Sequence, residues 1–548
     1  MKITSAFLCL LVAAGIVSAQ PSGITAPSTK TGTVDGVVTN AITGEPVRKA
    51  VVTLRGVSQT FAYQAVSDAA GHFHFDKVDP GSYNATAARD GFAIQTPGRH
   101  EKPITVSEDQ NVTDVAVPLK PLASVGGHVL DDEGDPIILA NVQAIRTTYN
   151  EGRKRLNQVA AVRSNDLGEF QFVNLDAGRY YFRVSAQPRP ASLPPRTRMS
   201  RIEQAYPPTY YPTAADLGQA TTVNVALGTE VNGIDFRLRR TPAYHIRGKV
   251  VDGLTGQPAS NIAVQLAPDE AEFVPGGETA VAVQPDGAFD LHAIVNGSYM
   301  VSAENFQSGA TMFARQPVQV DDQDVTVVLT LSSGFDVFGR AAVEGPAPAQ
   351  MNAQVLLNSE RPHNGSVPQA EIAQDGTFEL SHVTPDTYRI AVLPSAPGLY
   401  VKSIRFGDQD VTDGRIRLSQ PGGALNILFG TDGGQIQGSV ESASGEALPN
   451  APVTLAPTGQ HENRADLVKV AGADQYGHFS FQDLAPGDYQ VFAWGDQEVD
   501  FGLIQNADFR KLLSGQAASV SVGSNGSESV QLRLISAEDI EQAMSKLP

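Results

Sequence analysis

One alternation of hydrophobic and polar residues recurs five times along the chain. In its first copy, DAAGHFHFDKVDPGSY at residues 68–83, Phe73 and Phe75 alternate with His72 and His74. A period of two predicts a β-strand that turns one face to the core and the other to solvent. The two phenylalanines are therefore predicted to be buried and the two histidines to be exposed.

Turn signals flank this strand on both sides. The Asp-x-x-Gly sequence before it predicts a turn in which the glycine takes a positive φ. The DPG sequence after it predicts a second turn, with Gly81 in the left-handed conformation, and Tyr83 then begins the next strand. In the fourth copy Thr384-Pro385-Asp386 replaces the turn glycine, and Asp386 is expected to take that conformation at some cost.

The other copies keep the order Asp, Gly, alternating Phe or Leu, and Tyr. They occupy residues 165–184, 284–303, 374–392 and 474–493. A second alternating element precedes each copy, and these elements open near residues 34, 125, 246, 337 and 436. A closing strand, such as that over 112–120, brings each repeat to about seven short strands, a number typical of a two-sheet sandwich.

The predicted fold is all-β, with five tandem seven-stranded β-sandwiches and a short C-terminal helix capped by Ser536. The predicted core residues share the alternating positions and are Phe73, Phe75, Tyr83, Phe170, Phe172, Tyr180, Phe289, Leu291, Tyr299, Phe378, Leu380, Tyr388, Phe479, Phe481 and Tyr489. The predicted boundaries are a signal peptide over 1–19, a linker over 20–32, sandwiches over 33–121, 122–242, 243–334, 335–433 and 434–535, and a helical tail over 536–548. The second sandwich carries a Pro/Arg/Tyr-rich insertion over 186–223.

The N-terminus predicts export. MKITSAFLCLLVAAGIVSAQ has a basic Lys2, an apolar run over 6–17 and a small-residue cleavage site ending at Ala19. The run is too short for a comfortable membrane span, so a retained anchor is the weaker alternative. Cleavage would remove Cys9, the single cysteine, which excludes disulfides, cysteine nucleophiles and thiolate metal sites from the mature chain. A soluble secreted or periplasmic protein is therefore predicted.

Length, charge and motifs narrow the function classes further. A chain of 548 residues is too long for one hydrophobic core. Its formal net charge of −19 opposes phosphate backbones and anionic lipid headgroups, so we predict no nucleic-acid partner and no membrane insertion after cleavage. The sequence has no G-x-S-x-G elbow, no phosphate-binding glycine loop and no H-E-x-x-H motif. We therefore predict no catalytic residue, no enzymatic activity and no cofactor.

The upstream G-x-V and A-x-V-x-L sequences, together with D-x-x-G-x-F-x-F-x-x-L-x-P-G-x-Y, resemble the carboxypeptidase regulatory-like domain. The resemblance covers nearly all of the mature chain in five imperfect copies. It implies an Ig-like, prealbumin-like sandwich, close to the B-type repeats of collagen adhesins and to starch-binding-like folds. The last repeat is also similar to those of multi-repeat secreted proteins of acidobacteria.

The sequence lacks the metal-binding, catalytic and crosslinking motifs of the proteins in which related domains occur. Zinc carboxypeptidases bind their metal through a His-x-x-Glu pair, and this sequence contains none. Transthyretin-like hydroxyisourate hydrolases end in Tyr-Arg-Gly-Ser, which is also absent. Adhesin repeats often form Lys–Asn isopeptide bonds, but the closing strand opposite Lys249 offers no Asn, so no crosslink is expected.

Metal binding has two weak candidates. His72, His74 and Asp76 form a His pair and a carboxylate at strand spacing, a set that can capture a divalent ion. The matching positions of the other copies differ, so exposed polar strand residues are the preferred interpretation. Calcium is the second candidate, with solvated turns as the alternative, in the acidic segments 131–135, 321–324 and 408–414.

Carbohydrate binding needs exposed aromatic rings beside polar side chains. Alternation along its strand places Trp494, the single tryptophan, on the outer face near Asp496 and Gln497. The ring is a candidate sugar platform, and covering a neighbouring domain is the alternative. Tyr210 and Tyr211 of the insertion are further candidates.

Together these features predict a non-enzymatic exported repeat protein, a structural or adhesive binding scaffold at the cell surface or in the periplasm. We expect a rod of sandwiches whose loops meet a protein or polysaccharide partner at the cell exterior. Two alternatives stay open: a carbohydrate-binding protein, and an accessory regulatory-like subunit of a hydrolase such as a carboxypeptidase. The oligomeric state also stays open.

Overall fold

The computed structural model describes residues 30–57, 62–93, 103–186, 203–269, 279–305, 312–346, 352–360, 367–394, 396–442, 444–495 and 499–547. The described residues up to Leu119 form one compact unit, and those from Lys120 onward form another. The predicted signal peptide over 1–19 and the part of the insertion over 187–202 lie outside the described residues. None of the described helices is long and apolar enough to cross a bilayer.

Sandwich 1 makes up the first unit. Its strands are β1 (Gly32–Asn40), β2 (Val51–Gly56), β3 (Ala62–Val66), β4 (His72–Val78), β5 (Gly81–Ala88), β6 (Ile104–Val106) and β7 (Asn111–Leu119). They form two sheets, in the orders β4-β1-β7 and β3-β2-β5-β6. The alternating apolar residues of both sheets meet in one hydrophobic core.

The second unit begins with sandwich 2 and sandwich 3. The strands of sandwich 2 are β8 (Ala123–Asp131), β9 (Asn141–Asn150), β10 (Arg153–Arg163), β11 (Glu169–Leu175), β12 (Gly178–Ser185), β13 (Glu203–Ala205), β14 (Thr209–Tyr210), β15 (Val223–Val225), β16 (Glu230–Val231) and β17 (Phe236–Leu238). Those of sandwich 3 are β18 (Thr241–Asp252), β19 (Ala263–Pro268), β20 (Thr279–Ala282), β21 (Ala288–Ile294), β22 (Gly297–Asn305), β23 (Met312–Val320) and β24 (Val325–Leu331). Strand β13, from the insertion, pairs with β18 and so ties the two sandwiches together.

Sandwich 4 and sandwich 5 complete the second unit. The strands of sandwich 4 are β25 (Phe335–Glu344), β26 (Ala353–Ser359), β27 (Gln369–Glu371), β28 (Thr377–Val383), β29 (Asp386–Pro394), β30 (Tyr400–Phe406), β31 (Gln409–Asp410), β32 (Arg415–Leu418) and β33 (Leu425–Gly430). Those of sandwich 5 are β34 (Gly434–Glu441), β35 (Pro452–Pro457), β36 (Lys469–Gly472), β37 (His478–Leu484), β38 (Gly487–Trp494), β39 (Ala518–Val522) and β40 (Ser527–Ile535). Sandwich 5 also carries the helices α1 (Phe501–Ile504), α2 (Ala507–Leu512) and α3 (Ala537–Lys546).

The all-β prediction and the short C-terminal helix are confirmed. Ser536 caps α3 by accepting the backbone N–H of Asp539, as its position before the helix predicts. The number of strands varies, because the described residues give seven strands to sandwich 1 and nine to sandwich 4. Of the fifteen predicted core residues, fourteen are buried and Tyr299 is half-buried in the core of sandwich 3.

A glycine and a phenylalanine face each other on neighbouring strands in every sandwich. The pairs are Gly36 with Phe73, Gly127 with Phe170, Gly248 with Phe289, Gly339 with Phe378, and Gly438 with Phe479. A Cβ added to Gly36 would lie 2.4 Å from Cζ of Phe73 and 2.2 Å from the carbonyl oxygen of Val115. The first strand therefore needs glycine at this position, because the ring and the closing strand fill the space of a side chain.

The turn before the Phe strand agrees with the prediction, and the turn after it does not. The five turn glycines of the first type, Gly71, Gly168, Gly287, Gly376 and Gly477, all have φ between 76° and 83°. Gly81 and Asp386 were expected to be left-handed, but neither has a positive φ. The left-handed residue comes earlier, two positions after the second core residue, at Lys77, Asn174, Ala293, His382 and Asp483. A register shift between the first strand and the Phe strand accompanies it, so the Phe strand carries a β-bulge just before the turn.

The repeated tyrosine closes the second turn by a hydrogen bond. In each sandwich its hydroxyl donates to the carbonyl oxygen four residues earlier, at 2.7 Å from Tyr83 to Asp79 and from Tyr489 to Ala485. The equivalent bonds of Tyr180, Tyr299 and Tyr388 measure 2.7, 2.9 and 2.8 Å. Burial raises the pKa of Tyr489 to about 12, so the hydroxyl keeps the proton that it donates. The motif is thus a strand–turn–strand corner fixed by packing at one end and by a hydrogen bond at the other.

We expect Phe73→Ala to unfold sandwich 1 and to leave the second unit folded. Deleting a buried phenylalanine costs about 3–5 kcal/mol, a large part of the about 5–15 kcal/mol that stabilise a domain. Calorimetry of the mature chain, with limited proteolysis to identify the surviving fragment, measures the effect, and the exposed neighbour gives the control variant His72→Ala. A melting profile that Phe73→Ala leaves unchanged would contradict the assignment of Phe73 to the core.

Candidate functional site

Trp494 lies on the outer face of its sheet, as alternation predicts, but that face is covered. Its ring stacks between Phe492 and Phe509, with centroids 5.5 and 6.2 Å away. The indole Nε1–H donates to Oγ1 of Thr454 at 2.9 Å. Only 2% of Trp494 is exposed, so the prediction of an open sugar platform at this residue is wrong. The neighbouring Asp496 and Gln497 lie outside the described residues.

The three helices of sandwich 5 supply the cover. Their apolar side chains form a second core over the outer face of β38, made of Leu503, Ile504, Phe509, Leu513, Ile540 and Ala543. Asp500 and Asn506 cap α1 and α2 by accepting backbone N–H groups of Gly502 and Phe509. Tyr149 from sandwich 2 packs against the same cluster. Trp494 is therefore an interior residue of this second core, and the alternative that it covers a neighbouring domain stays a prediction.

The two tyrosines of the insertion pack against other residues of sandwich 2. Tyr210 is buried in a small cluster under the β9–β10 hairpin, and the guanidinium carbon of Arg183 lies 5.8 Å from its ring centroid. Tyr211 is half-buried and packs edge-on against Phe236, with centroids 6.1 Å apart. The insertion thus contributes packing to sandwich 2; Tyr210 is buried and offers no open ring, whereas Tyr211 stays a candidate.

His74 is held between two carboxylates on the exposed face of sandwich 1. Its Nδ1 lies 2.6 Å from Oδ1 of Asp35, and its Nε2 lies 2.8 Å from Oδ1 of Asp76. These hydrogen bonds, first that to Asp76 and then that to Asp35, raise the pKa of His74 above its ordinary value. Because both ring nitrogens are engaged, the geometry favours an ion pair over the metal site considered for His72, His74 and Asp76.

The acidic turns use their carboxylates as local hydrogen-bond acceptors. In the 131–135 turn, oxygens of Asp131, Glu133 and Asp135 lie within 4.8 Å of one another. Oδ1 of Asp131 accepts the backbone N–H of Glu133 at 3.1 Å and of Asp135 at 2.8 Å. Asp410 likewise accepts the backbone N–H of Thr412 within the 408–414 segment, so Asp131 and Asp410 act as turn formers. Asp324 instead accepts the backbone N–H of His245 and pairs with Arg247, both on β18.

A hairpin of sandwich 2 reaches sandwich 5 through two close backbone contacts. The β9–β10 turn lies on α1, where a Cβ added to Gly502 would meet the carbonyl oxygen of Tyr149 at 1.9 Å. A Cβ added to Gly152 would meet the carbonyl oxygen of Gln505 at 2.5 Å. The side-chain amide of Asn506 donates to the carbonyl of Gly152 at 2.7 Å. Glycine at both positions lets the two backbones touch directly.

The same hairpin reaches sandwich 4 through Glu360. Arg153 of β10 forms an ion pair with this carboxylate, and Nη2 of Arg415 lies 3.1 Å from its Oε2. Nε of Arg389 lies 3.6 Å from Oε1. Burial acts to raise the pKa of Glu360, but Arg153 and Arg415 outweigh it and hold the pKa below its ordinary value. The side chain of Glu360 is 16% exposed, so its loss would leave three arginines around a poorly hydrated site.

Sandwich 2 thus contacts sandwich 4 and sandwich 5, neither of which follows it directly in the chain. The rod of sandwiches stays a prediction, and within the second unit sandwiches that are not consecutive in the chain are in contact. This junction could not be predicted from the repeats, because Gly152, Glu360 and Gly502 lie outside the repeated motif.

The other outer face of sandwich 5 is open and forms a groove. The groove has a volume of about 770 Å³ and lies along β34, β37 and β40. Its polar lining consists of Gln437, Ser439, Asp474, His478, Ser480, Ser529 and Gln531. Tyr476 stands beside it, 63% exposed, with its ring centroid 6.3 Å from that of His478. Tyr476 was not predicted as a site residue, although it is the one aromatic residue at a turn position where the other copies have Ala70, Leu167, Asp286 and Asp375.

We expect Asp76→Asn to lower the pKa of His74, because it replaces the carboxylate that contributes most to the raised pKa by a neutral amide. A raised pKa in the folded state means that protonated His74 stabilises sandwich 1 below the ordinary histidine pKa of 6.5. That contribution is lost as the pH rises through the pKa of the folded protein. NMR titration of the imidazole signals measures it, with His74→Gln to assign the resonance. A His74 pKa at or below 6.5 in the unmodified protein would contradict the ion pair.

We expect Gly502→Ala to loosen the contact between sandwich 2 and sandwich 5. The added methyl group displaces the Tyr149 backbone, and overpacking of this kind costs about 1–3 kcal/mol. Hydrogen–deuterium exchange over residues 149–153 and 501–506 should then accelerate by about tenfold or more. The control is Gly472→Ala in the same sandwich, where an added Cβ has no atom within 4 Å. Equal exchange in the two variants would rule out a tight contact.

The comparisons with known proteins concern the first sandwich and the general fold. Residues 33–120 match the family model of the carboxypeptidase regulatory-like domain. No curated protein matches the chain. Among solved structures, the TIE protein of Bacillus anthracis is 9% identical, with 72% of this chain and 68% of that chain covered and a TM-score of 0.16.

Two pilins are similar at the same level. BcpA, the major pilin subunit of Bacillus cereus, is 12% identical, with 56% of this chain and 100% of that chain covered and a TM-score of 0.17. GBS52, the minor pilin of Streptococcus agalactiae, is 12% identical, with 39% and 97% covered and a TM-score of 0.21. Matches with such low TM-scores carry no argument about arrangement or function. The resemblance to the carboxypeptidase regulatory-like domain is thus confirmed for residues 33–120, which comprise sandwich 1.

Proposed function

We propose that this protein is a non-enzymatic exported scaffold with a structural or adhesive role at the cell surface or in the periplasm. The observation that carries the proposal is the distribution of the repeated residues. The Gly, Phe, Phe or Leu, and Tyr of each copy lie in the core or fix its corner. Repetition therefore preserves a fold rather than a constellation of reactive groups.

The exposed residues of the same strands also support this proposal. They change from copy to copy: His72 and His74, Glu169 and Gln171, Ala288 and Asp290, Thr377 and Glu379, His478 and Ser480. A shared interior with variable exteriors suits a set of modules that present different surfaces on a common framework. Binding rather than catalysis is the role that such surfaces serve.

The junction around Glu360 gives the scaffold a mechanical basis. Sandwich 2 is attached to sandwich 4 by ion pairs and to sandwich 5 by backbone contact and by Tyr149. Contacts between modules distant in the chain restrict hinge motion in the second unit. A restrained unit holds its outer faces in fixed positions relative to one another, which favours binding through several weak contacts at once.

The proposal is tested on the mature chain, residues 20–548, and on cell envelopes of the source organism. The chain should be found in the exported fraction, and labelled protein should bind the envelopes saturably and be displaced by unlabelled protein. An unrelated acidic protein of similar net charge serves as the control for charge. Retention in the cytoplasmic fraction, or release of soluble products from the envelopes in proportion to time, would overturn the proposal.

A further inference from the structure

The outer face of β34, β37 and β40 carries polar side chains that the protein itself does not use. The side chains of Gln437, Ser480, Ser529 and Gln531 make no hydrogen bond with any other described residue. They lie along one groove of about 770 Å³, a size within the roughly 300–1,000 Å³ of small-ligand sites. Amides and hydroxyls both donate and accept, so this lining complements a ligand rich in hydroxyl groups.

The groove contains few charges. Asp474 supplies a carboxylate, but its Oδ1 already accepts the backbone N–H groups of Tyr476 and His478, each at 2.8 Å. Nδ1 of His478 lies 3.9 Å from Oδ2 of Asp474. The chain as a whole is acidic, with a formal net charge of −19. A neutral ligand therefore fits the groove better than an anionic one.

Tyr476 provides an aromatic surface at the rim. It is held on a tight turn, in which Gly477 has φ of 77° and donates its N–H to the carbonyl of Asp474 at 3.0 Å. Since the turn fixes the backbone, ordering the ring on a ligand costs little further conformational entropy. An exposed ring beside hydroxyl and amide groups offers an apolar face and a polar tip to the same ligand.

We propose that this groove binds a neutral glycan of several sugar units, with one sugar ring stacked on Tyr476 and the hydroxyls of the following units bonded to Gln437, Ser529 and Gln531, which lie on the next two strands. The inference rests on the proposed scaffold function and names the class of ligand that sandwich 5 presents. It places the site on the sheet face opposite the covered Trp494. The equivalent turn of sandwich 2 has Leu167, equally exposed at 61%, which provides a matched position without an aromatic ring.

The test measures binding of the mature chain to neutral polysaccharides (β-glucan, xylan and mannan) and anionic ones (polygalacturonate and alginate). Affinity electrophoresis screens the panel, and calorimetry with oligosaccharides follows. Tyr476→Ala should weaken binding to a neutral glycan by about tenfold or more, whereas Tyr476→Phe and the control Leu167→Ala should retain it. Gln437→Ala and Gln531→Ala should each weaken binding, and unchanged circular dichroism and melting confirm that every variant is folded.

Three results would overturn the inference. They are no binding to any neutral glycan, binding to anionic glycans alone, and binding that Tyr476→Ala and the two Gln→Ala variants leave unchanged. Saturable binding to cell envelopes without glycan binding would overturn the groove and leave the scaffold in place. If the protein bound neither cell envelopes nor any glycan, both the scaffold function and the groove site would be overturned.

Discussion

The pairing of a glycine on the first strand with a phenylalanine on the neighbouring strand is the constraint on which each sandwich depends. The ring of Phe73 occupies the place where Gly36 has no side chain, and the closing strand approaches the same glycine from its other side. Three strands are thereby brought together at one point. Any larger residue at the glycine would separate the first strand from both its partners. The same pair recurs in all five sandwiches, which explains why the chain repeats these residues and little else.

Once the interior is filled in this way, alternation leaves every second residue on an outer face, and sandwich 5 uses its two outer faces differently. Over β38 the outward residues are Phe492 and Trp494, and α1, α2 and α3 cover them. Over β34, β37 and β40 the outward residues that line the groove are amides and hydroxyls together with His478, and the described residues leave that face open. The difference follows from solvation. Removing a large aromatic ring from water is favourable. Removing an uncharged polar group from water costs free energy unless a partner replaces its hydrogen bonds to water.

The covered face also explains how modules distant in the chain are connected. Helix α1 closes the second core of sandwich 5 and receives the β9–β10 hairpin of sandwich 2, which continues to Glu360 in sandwich 4. The apolar part of this junction supplies burial. The ion pairs around Glu360 restrict how sandwich 2 and sandwich 4 are placed, because hydrogen-bonded pairs between a carboxylate and arginines require a specific geometry. Trp494 thus packs in the second core of sandwich 5, and Tyr149 of sandwich 2 packs against the same core.

The sequence by itself determined the sandwich fold, the residues of each core, the first turn and the C-terminal helix, because these depend on neighbours within a few residues and on a period of two. It also placed Trp494 on the correct face of its strand. It did not determine the left-handed position, which falls on Lys77 rather than Gly81, since a bulge arises from pairing between strands. Nor did it show that the Trp494 face is covered, that Gly502 meets Tyr149, or that arginines of different sandwiches converge on Glu360. Only the tertiary structure decided these, because each joins residues far apart in the chain whose side chains carry no common period.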